Sequence, residues 1–252
     1  MGNESMENEL RKKIIQASYE AKACHIPSAL SCCDIVEAVY GVKKPEDIFI
    51  FAKATGVCAL YCYLHPEKAA EYIKKYPLPS KEVEGIIFSA GSLGQGLSVA
   101  CGLALADRTR KVYCLISDAE CQEGQVWEAI MFAAHHKLSN LICIVDRNFY
   151  QALGKTEEIM ELEPLMNKFV SFGWHSVYCV DGNDIKMVKE SLKEPDRITN
   201  GIEWFPNMEK RPKIITAETT KGKGISFMEN DNSWHYRNLS ETQMKQALKE
   251  LE

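Results

Sequence analysis

The segment VYCLISDAECQEGQ, residues 112–125, is an apolar run that stops at Asp118. The pattern returns in LICIVDRN, residues 141–148, where an apolar run ends in Asp146 and Asn148. Unbroken apolarity, rather than alternation, marks strands covered on both faces, as in a parallel sheet. Between the runs, EGQVWEAIMFAAHHK (123–137) sets Val126, Ile130 and Ala134 along one helical side. Strand, helix and strand of this length form a crossover unit, which returns the second strand beside or near the first. Asp118 and Asn148 then project from the carboxyl edge of the sheet, where ligands of open α/β folds bind.

The same reading extends outward. GSLGQGLSVACGLALADR (91–108) is a glycine loop entering a helix of small and apolar residues, expected to be buried. Upstream, a helix at 8–23 carries Leu10, Ile14 and Ala17 on one face. A loop with His25, Ile26 and Pro27 leads into a helix ending at Gly41, then a strand at 47–51. Helices follow at 54–65 and 66–76, the second with Pro66 in its first turn, then a proline-punctuated loop at 76–85. Downstream lie helix 162–173, strand 175–180, helix 184–194, strand 213–219 and a closing helix from 240. The fold predicted is a single α/β domain over 1–252, three layers deep, its parallel sheet carrying helices on both faces.

Composition narrows the function. A net charge of −5 with no Lys/Arg block argues against nucleic acid or an acidic membrane as main partner. No apolar stretch is long enough to span a bilayer. Ten cysteines include no C-x-x-C pair, and several sit inside apolar runs, which reads as buried thiols in a reducing compartment rather than zinc ligands or disulfides. The polar amino terminus shows no leader, and its Met-Gly start is not taken as a lipidation signal. A cytoplasmic protein is expected.

At the strand ends, one carboxylate and one amide oxygen without Cys or His suit a hard cation such as magnesium. A helix opening just after Asp118 would turn its N–H groups toward an anion, and together these suggest a magnesium-bridged diphosphate. The alternative is that Asp118 only caps that helix. The glycines at 91–96 equally fit a tight turn for close helix packing. Lys221 and Lys223 in TKGKG follow a strand, as an anion site or as a solvated turn.

Four segments, GSLGQGLSVACGLALA, DAECQEGQVWEAIMFAAHHKLSNLICIVDRN, EPLMNKFVSFGW and TKGKGISFMENDNSWH, resemble in order and spacing the N-terminal half of transketolase. The resemblance implies a thiamin diphosphate enzyme that moves a two-carbon ketol unit from a ketose to an aldose. It implies that Asp118, Asn148 and the carbonyl of Tyr150 hold Mg2+ (or Ca2+), and that Gly91 and Leu93 lie along the cofactor near its pyrimidine. Ala119, Glu120 and Lys221 are expected beside the cofactor, with Lys221 near the diphosphate. His25 and His235 match substrate-channel histidines that polarise a carbonyl or shuttle its proton. Glu123 and Glu128 match an acidic pair reaching the subunit interface and coupling there to the partner's activating glutamate. That glutamate belongs to the family's pyrimidine-binding domain, which this chain ends before. The expectation is therefore a split enzyme, two of each chain, inactive without a separate C-terminal-type subunit.

The sequence departs from the family pattern at four places. The usual G-D-G reads Ser117-Asp118-Ala119, and the usual K-G-H reads Lys53-Ala54-Thr55. Tyr76-Pro77 stands where H-P is usual, and Ile87 where glutamate is common. Loss of those histidines points to an unusual sugar or a different donor. Two other functions compete: decarboxylative acyl transfer from a 2-oxo acid such as pyruvate, and a non-catalytic binding subunit. Asp118→Ala is expected to remove metal-linked cofactor binding while leaving the fold intact.

Overall fold

Five strands build one parallel sheet: β1 (Ile48–Phe51), β2 (Val112–Ser117), β3 (Leu141–Arg147), β4 (His175–Cys179) and β5 (Lys213–Glu218). Their order is β1-β2-β3-β5-β4, so β3 and β4 are separated in space by the last strand of the chain. The computed structural model describes residues 8–179, 181–193 and 210–252. The predicted crossover is present: β2 and β3 are neighbours, with Val112 opposite Leu141 and Ser117 opposite Asp146.

Alternate residues of each strand feed two separate cores. Tyr113, Leu115, Ile142, Ile144 and Ile215 face one side. There they meet α1 (Glu9–Ala21), α2 (Ile26–Val42), α3 (Val57–Leu64) and α4 (Ala69–Lys75). Cys114, Ile116, Cys143, Val145 and Ile214 face the other side, against α5 (Gln95–Ala106) and α6 (Gly124–His135). Among the described residues the remaining α-helices are α7 (Thr156–Ile159), α8 (Leu165–Ser171), α9 (Ile185–Lys193) and α10 (Glu241–Glu250). This is the predicted three-layer arrangement, and double coverage explains why β2 and β3 are buried along their whole length.

Four local expectations are corrected. Pro27 lies within the first turn of α2 rather than in a loop, a position where its missing N–H costs nothing. The helix expected at 162–173 is shortened to α8, with Pro164 just before it. Only one side of α5 is buried, through Gly96, Leu97, Ala100, Cys101 and Ala104. Val99 and Leu105 are exposed, because the sheet covers a single face of that helix. Finally, α6 does not start directly after Asp118. A 3-10 turn, Ala119–Gln122, intervenes, and Glu123 stands at the N-cap of α6. The expected strand end at Val180 and helix end at Glu194 lie outside the described residues.

The glycine loop does serve close packing. Gly94 has φ 80, and a Cβ on Gly96 would stand 2.2 Å from the Cβ of Ala52, just after β1. All ten cysteines are free, nine of them buried. Among the described residues no helix is long and apolar enough to cross a membrane.

Candidate active site

The carboxyl ends of β2 and β3 open onto a cavity of about 240 Å³ whose walls include Lys53, Leu93, Ala119, Asn148, Tyr150 and His235. Asp118 is fully buried beneath it. Its Oδ2 accepts from Arg147 Nη1 at 2.9 Å, the backbone N–H of Phe149 at 2.9 Å and Thr156 Oγ1 at 3.1 Å. Among the described residues Oδ1 accepts only the N–H of Ala119, at 2.8 Å. Asp118 thus caps its turn, as the plainer sequence reading held, yet keeps lone-pair capacity on one oxygen. Burial raises its pKa, and the Arg147 guanidinium opposes that rise.

Asn148 is likewise buried. Its Oδ1 accepts from the N–H of Tyr150 at 3.0 Å, and its Nδ2 donates to Ser31 Oγ at 3.3 Å. The carbonyl of Tyr150 receives no hydrogen bond among the described residues. Asp118, Asn148 and that carbonyl are all hard oxygen donors, and no cluster of three His, Cys, Asp or Glu side chains competes among the described residues. One carboxylate with two neutral oxygens is an incomplete set that suits magnesium, which fills its octahedron with phosphate oxygens and water. The residues present therefore fit a magnesium–diphosphate group.

Two buried cations hold this set in place. Arg147 bridges Asp118 to Glu157 and Glu163 and lies 4.3 Å from the Phe149 ring centroid. Lys53, buried, pairs with the fully buried Asp146 and donates to Ser28 O at 2.9 Å and Ser31 Oγ at 2.7 Å. Burial acts to lower the Lys53 pKa, but the charge and hydrogen bond of Asp146, together with Cys32 and Asp118, outweigh it and the net direction is upward. Asp146 also accepts from Thr219 and Ser31. Ser31 is thus the hinge between the ion pair and Asn148.

Lys221 approaches from the loop after β5. Its ammonium donates to Asn232 Oδ1 at 2.8 Å and meets His235 Nδ1 at 3.1 Å. No carboxylate neutralises it among the described residues. Burial, with the charge of Lys53, pushes its pKa down to about 8. The same burial, with Lys221, His25 and Lys53 adding repulsion, pushes His235 down to about 3. His25 is lowered by burial and by Lys221, and its ring packs edge-on to His235 at 4.8 Å. Both imidazoles are therefore neutral, and His235 accepts from Lys221 through Nδ1.

A titration follows from this arrangement. The ring signals of His235 should stay fixed between pH 5 and 7 in an NMR titration, below the range in which Lys221 itself loses its proton; a midpoint near the ordinary 6.5 would mean the Lys221 contact does not form. Lys221 has the opposite window. Between about 8 and the ordinary 10.5 the unfolded chain holds a proton that the folded chain has released, so stability should rise with pH there. Lys221→Met should flatten that slope in urea melts.

The sequence-predicted residues divide into three groups. Leu93, Ala119, Asn148, Tyr150, His25 and His235 line the cavity, with Asp118 and Lys221 supporting it from below. Glu120 turns inward: it accepts from Ser117 N at 2.8 Å and Gly94 N at 3.4 Å, clamping the glycine loop to β2, and burial raises its pKa to about 6. Gly91 is exposed beside Leu78 rather than in the cavity wall. Glu123 and Glu128 are exposed and stand outside the cavity. Glu128 borders an apolar groove between α5 and α6 with Ser98, Gly102 and Phe132. Sequence reasoning missed Ser31, Arg147, Thr156 and Thr219, and gave Lys53 and Asp146 no role; a charged residue closing an apolar strand was the available signal for Asp146 and Arg147.

Residues 76–252 match a family described as the thiamine diphosphate binding domain of transketolase. An apulose-4-phosphate transketolase subunit of Phocaeicola vulgatus is 33% identical over 265 residues, covering 96% of this chain and 90% of that protein. A 6-deoxy-6-sulfo-D-fructose transketolase subunit from a Clostridium species is 34% identical over 270 residues, covering 97% and 94%. Transketolase of Campylobacter jejuni superposes with a TM-score of 0.84 at 24% identity, over 98% of this chain but 42% of that one. The chain belongs to the transketolase family. Human transketolase, 29% identical, is matched over 41% of its length, whereas the two proteins named as subunits are matched almost end to end.

Proposed function

We propose that this chain is the diphosphate-binding subunit of a two-chain transketolase, transferring a two-carbon ketol unit between sugar substrates. One observation carries the reading: Asn148 and Tyr150 line one cavity, and a buried carboxylate with a spare oxygen and an unneutralised lysine, Asp118 and Lys221, bond directly to Ala119 and His235 of its wall. Asp118, Asn148 and the Tyr150 carbonyl would hold magnesium, or calcium in its place, and Lys221 would meet the diphosphate charge. Bound there, thiamin diphosphate would supply the electron-accepting chemistry for breaking and remaking a carbon–carbon bond. Neutral His25 and His235 are suited to donate a hydrogen bond to a carbonyl oxygen and to exchange its proton.

The partner is a separate subunit with a pyrimidine-binding domain, and the assembly is two of each. Supporting this, α5 and α6 present an exposed apolar face with Val99, Leu105, Met131 and Phe132, and Glu123 and Glu128 are exposed alongside. On this reading the two glutamates act at the interface rather than on substrate. The whole chain acts as one domain, and its free thiols suit the cytoplasm.

Reconstitution with the partner tests the function. Neither chain alone should turn over; the mixture should cleave a ketose phosphate in the presence of an aldehyde acceptor, dependent on magnesium and thiamin diphosphate. Consumption of pyruvate instead would replace ketol transfer with acyl transfer. Cofactor binding without any turnover would leave a binding subunit.

A further inference from the structure

The two histidines of the cavity wall are each engaged through one ring nitrogen. His235 accepts from the Lys221 ammonium at Nδ1, and His25 Nδ1 lies 3.2 Å from Cys24 Sγ. Among the described residues neither Nε2 has a hydrogen-bond partner. In a neutral imidazole one nitrogen carries the proton and the other a lone pair, so a bond at one fixes the role of the other. An ammonium can only donate, which settles His235 as the Nε2–H form. The form of His25 depends on which atom holds the proton in its contact with Cys24.

Three arrangements are open there. A thiolate beside an imidazolium needs both groups charged, yet burial pushes the Cys24 thiol up and, with Lys221, pushes His25 down. A ring Nδ1–H donating to sulfur would use a weak acceptor. A thiol S–H donating to the Nδ1 lone pair sets the better acceptor opposite the proton. The loop holds the ring in that position. His25 has φ 62, its N–H donates to His235 O at 3.1 Å, and its carbonyl accepts from Ser28 N at 3.0 Å in the first turn of α2. Its ring packs edge-on against those of His235 and Tyr236, with centroids 4.8 and 5.2 Å away. Positive φ at a non-glycine residue persists where the surroundings over-determine it, as at functional sites.

We propose that Cys24 is a positioning residue: its S–H fixes His25 as the Nε2–H tautomer, so that His25 and His235 meet a bound substrate as two hydrogen-bond donors. Two preset donors on rings this close suit an oxygen that gains negative charge during the reaction. Each ring then gives its Nε2 proton first and recovers it later. That the donors serve a reaction rests on the reading of the cavity as the ketol-transfer site; the tautomer does not.

Nitrogen NMR of the full chain, labelled with 15N at histidine, reads the tautomer directly. His25, assigned by the loss of its signals in His25→Gln, should show a pyridine-like Nδ1 and a pyrrole-like Nε2 at neutral pH. Cys24→Ser, which still donates, should keep that pattern. Cys24→Ala should draw the two signals toward each other as the ring samples both tautomers, with His235 unchanged. A pyrrole-like Nδ1 in the unaltered chain, two pyrrole-like nitrogens, or an alanine variant with the unaltered pattern would overturn the proposal. In the pair reconstituted with its partner, Cys24→Ala should lower kcat about three- to tenfold at unchanged thiamin diphosphate affinity, and Cys24→Ser should recover it to within about twofold. An alanine variant as fast as the unaltered pair would overturn it as well. The spectra need no partner, cofactor or turnover, so failure of the ketol-transfer reading and failure of the tautomer lock show up separately.

Discussion

Asp118→Ala is expected to abolish magnesium-dependent binding of thiamin diphosphate and to lower the stability of the chain by about 3 kcal/mol. The first effect follows from losing the single carboxylate in the proposed oxygen set. The second follows from Oδ2, which gathers a guanidinium, a backbone N–H and a hydroxyl. Its removal leaves a buried Arg147 whose other partners, Glu157 and Glu163, are partly exposed. They offset part of the penalty, which places the loss at the lower end of the range for a broken buried pair. The sequence alone suggested an intact fold; the contacts of Oδ2 add that the chain, still folded, should be weakened. Asp118→Asn, isosteric and neutral, should recover some stability without recovering cofactor affinity. Calorimetric titration of the reconstituted pair and urea melts of the chain read the two effects separately. Undiminished affinity in the alanine variant would remove the metal assignment.

Lys53→Met should be as damaging to stability, by about 3–5 kcal/mol, although Lys53 is not among the proposed metal ligands. Asp146 is fully buried and would retain Ser31 and Thr219 as donors but no counter-charge. The disturbance also reaches Asn148, because Ser31 loses the ammonium that donates to it. Cofactor affinity should therefore fall together with stability. The double variant Lys53→Met, Asp146→Asn removes both charges and should regain most of the stability, giving a large coupling energy in a double-mutant cycle. A loss under about 1 kcal/mol in the single variant would show that the pair contributes no more than a surface ion pair does.

How far the site can be read from sequence depends on what sets each contact. Asp118 and Asn148 were legible because a single crossover unit brings them together, and crossover geometry is fixed by handedness and strand pairing, whereas Tyr150 was implied by the resemblance alone. Lys53, Ser31 and Thr219 reach Asp146 from 93, 115 and 73 residues away, and no local pattern encodes such meetings. The strands were legible for a similar reason: burial on both faces leaves an unbroken apolar run. The exposed side of α5 was not, since small apolar residues read alike whether a sheet or another subunit covers them. Glu120 carries a contact that its place in the motif did not suggest: its carboxylate ties Gly94 to Ser117.

The sheet order has a consequence for biosynthesis. Because β5 sits between β3 and β4, neither of those strands has its final neighbour until residues 213–218 leave the ribosome. Until then β3 offers a raw, apolar edge, and an unpaired edge of that kind is a template for mispairing with other nascent chains. Thr219, arriving immediately behind β5, closes on Asp146 in the same event. Synthesis must therefore pass Thr219 before the nascent polypeptide is either safe from aggregation at that edge or equipped to bind anything there.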